Sequence, residues 1–144
     1  FIPSYKVVKM DLDINRIIKF GCKSKSKLCK KFIYWFCKHY FYCDIHPNNC
    51  LSSSVNFAHN GLGTVINENA VVGKNVLIQH HVTIGANDKG IPYIGDGVKI
   101  GAYAIIIGDI EIGKNAVIGA GAVVTKSIPV GTTVVGNPAH IIKR

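Results

Sequence analysis

Acidic residues are scarce in this sequence. Of 144 residues, 8 are Asp or Glu against 17 Lys or Arg, a formal net charge of +9. Paired cysteines are lacking as well. Five cysteines stand at 22, 29, 37, 43 and 50, none follows, and no two are spaced CxxC. An odd count without such a pair argues against a disulfide framework or a zinc cage, and points to a reducing cytoplasm. No apolar run reaches the roughly 18 uninterrupted residues of a transmembrane helix. The first residues, Phe1 to Lys6, show no charged start followed by an apolar core, so a signal peptide is not expected. Arginine is missing from the whole stretch between Arg16 and Arg144. What is abundant is apolar: 48% of the chain is hydrophobic, enough for a packed core and too much for wholesale disorder.

The positive charge is not spread evenly. Residues 1–43 hold ten Lys/Arg and two Asp, a net of +8, whereas residues 44–144 hold seven Lys/Arg and six Asp/Glu, a net of +1. The chain therefore divides into a basic, aromatic arm (1–43) and a nearly neutral body (44–144). No nucleic-acid-reading motif accompanies the lysines, so nucleic acid is not an expected partner.

The body is a repeat. Aliphatic residues recur every six positions at Ile66, Val72, Ile78 and Ile84, then at Ile94, Ile100, Ile106, Ile112, Ile118, Val124 and Val130. Glycine often follows, as at Gly73, Gly85, Gly101 and Gly119, and a small or branched apolar residue stands four places on, as at Ala70, Val82, Ala104 and Ala122. A weaker copy runs through Ile45, Leu51 and Phe57. Period six is neither helical nor the alternation of an ordinary strand. It describes a short strand and a corner, repeated, with one aliphatic per hexad facing inward and three hexads closing a coil. Coils stack at the strand spacing of about 4.8 Å. The period breaks twice, with three extra residues between Phe57 and Ile66 and four between Ile84 and Ile94. Insertions of this kind leave the core as loops, often on the binding side.

These motifs resemble a known family. Asp44-Ile45-His46-Pro47, the His59 segment ending in Thr64-Val65-Ile66, Val82-Thr83-Ile84-Gly85, Ile100-Gly101-Ala102-Tyr103-Ala104, Ile118-Gly119-Ala120-Gly121-Ala122 and Val135-Gly136-Asn137-Pro138-Ala139 look like the hexapeptide-repeat acyltransferases, in particular their serine acetyltransferase-like branch. The resemblance implies a mainly β fold, a left-handed parallel β-helix over 44–144 with a short α-helical N-terminal arm. It also implies a homotrimer with acetyl-CoA in the groove between prisms, an acceptor hydroxyl attacking the thioester directly, and no metal.

Acetyl transfer to a hydroxyl needs a base for the hydroxyl proton, and histidine titrates in the right range. His59 and Asp44 are fifteen residues apart, the spacing of the Asp–His pair in the resembling enzymes. His59 is therefore read as the general base and Asp44 as the carboxylate that orients it. His80 and His81 lie about one coil further on and are read, with His46, as acceptor-site residues. Adjacent strand residues point to opposite faces, so one of His80 and His81 is expected at the site, not both. By resemblance, Gly85, Ala102 and Ala120 accommodate the pantetheine arm. Lys126, with Lys143 or Arg144, meets the CoA phosphates.

One departure bears on the acceptor. Serine acetyltransferases carry an Arg-His pair in the second loop, where this chain has Gly90-Ile91. A buried carboxylate wants such a partner. The loop Pro92-Tyr93-Ile94-Gly95 instead looks like short acetyltransferases of surface-polysaccharide assembly, so a sugar hydroxyl is the expected acceptor. Serine, as in cysteine biosynthesis, is the alternative, and a non-catalytic β-helix scaffold the third reading. The arm reads as two helices, one capped by Asp13 and stopped by Gly21, one from Lys27 to Tyr42. It is expected to cap the open end of the prism, or to attach the enzyme peripherally to the inner membrane surface through lysines and aromatics.

Overall fold

The computed structural model describes residues 12–46, 50–51 and 54–142. Lys143 and Arg144, given a phosphate role above, lie outside them, as does the side chain of Cys50. Two helices precede a parallel β-solenoid. Its strands are two or three residues long, and side chains at alternate positions point in and out.

The solenoid has three faces. The first stacks Asp44–Ile45, Val65–Ile66, Thr83–Gly85, Ile105–Ile107 and Val123–Val124. The second stacks Cys50–Leu51, Val71–Val72, Tyr93–Ile94 and Glu111–Ile112. The third stacks Asn56–Phe57, Leu77–Ile78, Lys99–Ile100, Val117–Ile118 and Thr133–Val135, with His140–Ile141 closing it antiparallel. The hexad aliphatics face the axis, and every one from Ile66 to Val124 is buried. The small residues four places on, among them Ala70, Val76, Val82, Ala104 and Ala122, fill the corners and are fully enclosed. Val130 is the exception and is 68% exposed. Its coil is short. Ile118 pairs with Val134, sixteen residues on, where a regular coil takes eighteen, as from Ile100 to Ile118. The chain turns through Pro129 and Gly131, and Ile128 and Val134 carry the core past Val130.

Register shows where the extra residues go. Ile45 pairs with Ile66 and Ile84 with Ile106, coils of 21 and 22 residues, whereas Ile66 to Ile84 and Ile106 to Val124 take 18. The two insertions leave at different corners. The first lies between the third and first faces and carries His59, while the second, residues 86–92, lies between the first and second. There Asn87 closes the loop on itself. Its side-chain oxygen accepts from the backbone N–H groups of Lys89 and Gly90, and its own N–H donates to the Gly90 carbonyl.

Helix α1 (Ile14–Lys23) is capped by Asp13, whose carboxylate accepts from the Asn15 N–H at 2.8 Å. It buries Ile14 and Ile18 against the first coil. Gly21 does not stop it. That residue is buried inside the helix, which runs on to Lys23. Helix α2 (Lys27–Tyr40) is capped by Ser26 and ends two residues before Tyr42, which adopts a left-handed conformation (φ +53°) at the entry to the solenoid. It buries Ile33 and Cys37, whereas Leu28, Phe32 and Trp35 face outward. Together the helices cover the open end of the first coil. No helix among the described residues is long and apolar enough to cross a membrane.

Candidate active site

The corner between the third and first faces is built from left-handed residues in register: Tyr42, Gly63, His81, Tyr103 and Gly121, with φ between +53° and +68°. From Gly63 on, each is pinned by the preceding coil. The N–H of Gly63 donates to Tyr42 O, that of His81 to Leu62 O, that of Tyr103 to His80 O and that of Gly121 to Ala102 O. The corner between the second and third faces repeats the geometry with Asn75, Gly97, Asn115 and Gly131. Asn and Gly tolerate a left-handed backbone, while bulky side chains do so at a cost. The histidine corner thus places large rings in the very conformation where its counterpart uses only Asn and Gly.

Those rings cluster. His59 meets His80 edge-on, centroids 5.0 Å apart, and His80 meets Tyr103 edge-on at 5.5 Å. His81 stacks on Tyr103 at 4.7 Å and 11°. Both His80 and His81 therefore join the site, contrary to the strand-alternation argument. That argument fails because His81 is not extended, and its positive φ turns its side chain to the same side as its neighbour's. Gly63 makes room for this. A Cβ there would fall 2.0 Å from the His81 ring nitrogen Nδ1. His80 Nδ1 is buried and has no hydrogen-bond partner among the described residues. Such a group takes its partner from water, a ligand or another chain.

His59 itself is exposed, on the short turn Ala58–Gly61. His59 and Asn60 are both left-handed, at φ +50° and +53°. The turn is held from below by α1. The Ile14 N–H donates to Asn60 Oδ1 (3.4 Å), and Asn15 clamps Phe57 by accepting from its N–H at 2.8 Å and donating to its carbonyl at 3.4 Å.

Asp44 does not hydrogen-bond to His59. Its carboxylate accepts from the Tyr34 hydroxyl at 2.7 Å and from Lys38 Nζ at 2.9 Å, both on α2. Partial desolvation pushes its pKa up, but the hydrogen bonds from Lys38 and Tyr34 outweigh this and hold the carboxyl below the usual range. The hydrogen bond to Asp44 in turn raises Tyr34 and Lys38. His46 lies by the same helix, 5.0 Å from the Tyr34 ring and in a small hollow with Lys27, Lys30 and Lys31, not with the other histidines.

The CoA candidates flank the first face. Ala102 and Ala120 occupy successive coils of the histidine corner, directly in line with His80. Gly85 and Lys126 lie along the opposite edge of that face, and Lys126 is exposed. No group of three or more His, Cys, Asp or Glu among the described residues is placed to hold a metal. Sequence reasoning passed over Tyr103. Its signal was present as two near-copies, Ile100-Gly101-Ala102-Tyr103-Ala104 and Ile118-Gly119-Ala120-Gly121-Ala122, in which Tyr replaces Gly at one position.

Comparison with known proteins agrees with this fold. Residues 92–126 match the family described as bacterial transferase hexapeptide (six repeats). A probable serine acetyltransferase of rice (Oryza sativa subsp. japonica) is 48% identical over 106 residues, which cover 71% of this chain and 35% of that one. Among solved structures, serine acetyltransferase from Brucella abortus superposes with a TM-score of 0.79 at 39% identity, covering 91% of this chain and 54% of that one. Soybean serine acetyltransferase complexed with serine gives 0.77 at 39%, covering 90% and 54%. A serine acetyltransferase complexed with CoA gives 0.77 at 35%, again covering 90% and 54%. The chain spans about a third of the length of the rice relative and about half of the solved ones. These matches overturn the sugar acceptor. It rested on the absence of an Arg-His pair from one loop and on the likeness of the Pro92-Tyr93-Ile94-Gly95 loop, and none of these relatives or neighbours is an enzyme of polysaccharide assembly.

Proposed function

We propose that this chain, whose body is a hexapeptide-repeat solenoid of the serine acetyltransferase-like branch, transfers the acetyl group of acetyl-CoA to the hydroxyl of serine. The reading is carried by one coincidence. The segment shared with serine acetyltransferases is the segment that gathers His59, His80, His81 and Tyr103 at one corner, in line with the small residues Ala102 and Ala120.

In the proposed reaction the serine oxygen attacks the thioester carbon as His59 takes the hydroxyl proton. The C–S bond then breaks, and the imidazolium returns the proton to the CoA thiolate. Asp44, held by Tyr34 and Lys38, ties the arm to the head of the first coil. Ala102 and Ala120 leave the corner open enough for a pantetheine arm, with Gly85 and Lys126 further along the same face. A groove needs a second wall, and a neighbouring prism of a trimer supplies it. Light scattering that returned the mass of a single chain would remove that wall.

The test is a thiol-release assay with acetyl-CoA and free serine. Wild type is expected to turn over, and His59→Ala to lose about a hundredfold or more in kcat, the usual contribution of a general base. Turnover undiminished in His59→Ala would rule out the assigned base. No serine-dependent thiol release from wild type would rule out the reaction.

A further inference from the structure

Helix α2 shows apolar side chains on two opposite sides. Ile33 and Cys37, one turn apart, are buried toward the rest of the molecule. Leu28, Phe32, Trp35 and His39 stand at i, i+4, i+7 and i+11, a single stripe of a helix. That stripe lies nearly opposite the buried one, and Leu28, Phe32 and Trp35 are 78%, 63% and 55% exposed. Its rings form a ladder. The Phe32 and Trp35 centroids are 6.2 Å apart, and Trp35 stacks on His39 at 4.9 Å and 29°. An ordinary surface helix turns polar residues to water, and contiguous exposed apolar side chains mark an interaction surface.

A basic stripe runs alongside. Lys27, Lys31 and Lys38 each stand one residue before a member of the apolar stripe, and α2 contains no Asp or Glu. Lys38 is engaged by Asp44, whereas Lys27 and Lys31 are exposed and make no ion pair among the described residues. These two line a small hollow with Lys30 and His46. What covers the face must therefore be apolar in the middle and negative at the edge. A second copy of this chain does not meet that requirement. It would bring a second basic arm, and with a net of +8 in residues 1–43 the two arms repel. An anionic bilayer surface does meet it. The acyl boundary takes up Leu, Phe and Trp side chains, the headgroup phosphates attract lysines, and lysine stems reach from one layer to the other.

We propose that α2 docks the protein on an anionic lipid surface, with Leu28, Phe32 and Trp35 in the acyl boundary and Lys27 and Lys31 against the headgroup phosphates. The helix has 14 residues, short of the roughly 20 that span a bilayer, so it lies in the plane of the surface. The arm then both caps the first coil and decides where the enzyme sits. This goes beyond the acetyl transfer proposed above and does not rest on it.

The experiment mixes the full chain with vesicles of phosphatidylcholine, alone or with phosphatidylglycerol, at low and high salt. Trp35 is the one tryptophan of the sequence, so its emission reports on this face. With the anionic vesicles the emission should shift to the blue and the chain should co-sediment; with phosphatidylcholine alone neither should occur. High salt should release the chain, because it screens the lysines. Lys27→Gln combined with Lys31→Gln should weaken the partition about tenfold or more. Phe32→Gln should weaken it about tenfold by removing one inserted ring. Should Phe32→Gln lose its thermal transition, Leu28→Gln replaces it and is judged in the same way. An unshifted Trp35 emission with anionic vesicles, equal binding to both kinds of vesicle, or a partition that Phe32→Gln leaves unchanged would each overturn the proposal. So would light scattering in which Phe32→Gln halves the mass of the particle, since that would give the face to a second copy.

Discussion

Tyr103 holds a left-handed backbone, φ +60°, at a position where the next coil uses Gly121 at +68°. For a bulky residue that conformation costs on the order of 1–2 kcal/mol. Against this stands the stack on His81, and aromatic pairs contribute about 0.5–1.5 kcal/mol beyond their burial. The two effects nearly cancel, so stability alone does not account for a tyrosine here, and strain of this kind gathers at functional sites. Tyr103→Gly is therefore expected to melt within a few degrees of wild type. Its kcat/KM for serine should fall about tenfold, because the His81 ring loses the plane that fixes it. Tyr103→Phe keeps the ring and should match wild type in both. Equal activity in the glycine variant would show that the stack does not order the histidine cluster. The same residue marks where sequence reasoning stops. That His80 and His81 belong near one corner followed from the period. That both rings reach the site depends on a left-handed backbone at His81, which the sequence does not announce, because His is enriched in that conformation but adopts it in only a small minority of its positions.

A polar cluster ties helix α2 to the solenoid, Lys38 and Tyr34 on Asp44, at the head of the first strand. A fifteen-residue spacing, close to one coil and matching the Asp–His pair of the resembling enzymes, paired Asp44 with His59. It did not foresee that the helix running just before the strand presents two donors at i and i+4 to the same carboxylate. Local geometry won over the repeat. The linkage has a definite sign. Asp44 is held below its ordinary value, so its contribution is complete above the unfolded carboxylate pKa of about 3.9 and is lost as pH falls through the lower folded value. Lys38 and Tyr34 are raised, so theirs is complete below about pH 10 and is lost as pH rises through their folded values. Docking of the arm should be level between these limits and weaken beyond both. The partial exposure of the cluster keeps the effect small. Hydrogen exchange of the α2 amides as a function of pH measures it. Asp44→Asn should flatten the acid limb, and an acid limb that survives the substitution would assign it to other groups.

At the scale of the whole molecule the solenoid was the most legible part of the sequence. Its six-residue period puts one aliphatic per face on the axis, and ten consecutive slots from Ile66 to Val124 are buried as the period requires. The eleventh, Val130, is not, because the last coil is two residues short and the register passes to Ile128 and Val134. A period shows which residues share a face and does not show where the final coil is cut. Stability in such a stack is a sum over coils and their contacts, so a slot is worth most where a coil lies on both sides. Ile100 is such a slot. It is 1% exposed, and its strand pairs with those of Ile78 before it and Ile118 after it. Ile100→Ala removes buried methyl and methylene groups and leaves a void that the neighbouring coils cannot close without losing register, at a cost of about 2–5 kcal/mol. Val130→Ala removes atoms already in water and should fall within about 0.5 kcal/mol of wild type. Urea unfolding of the two variants decides it. The Ile100 variant should lower the midpoint with an unchanged slope, since the surface exposed on unfolding is nearly the same. Equal midpoints for the two variants would mean that the repeat slots do not carry the core.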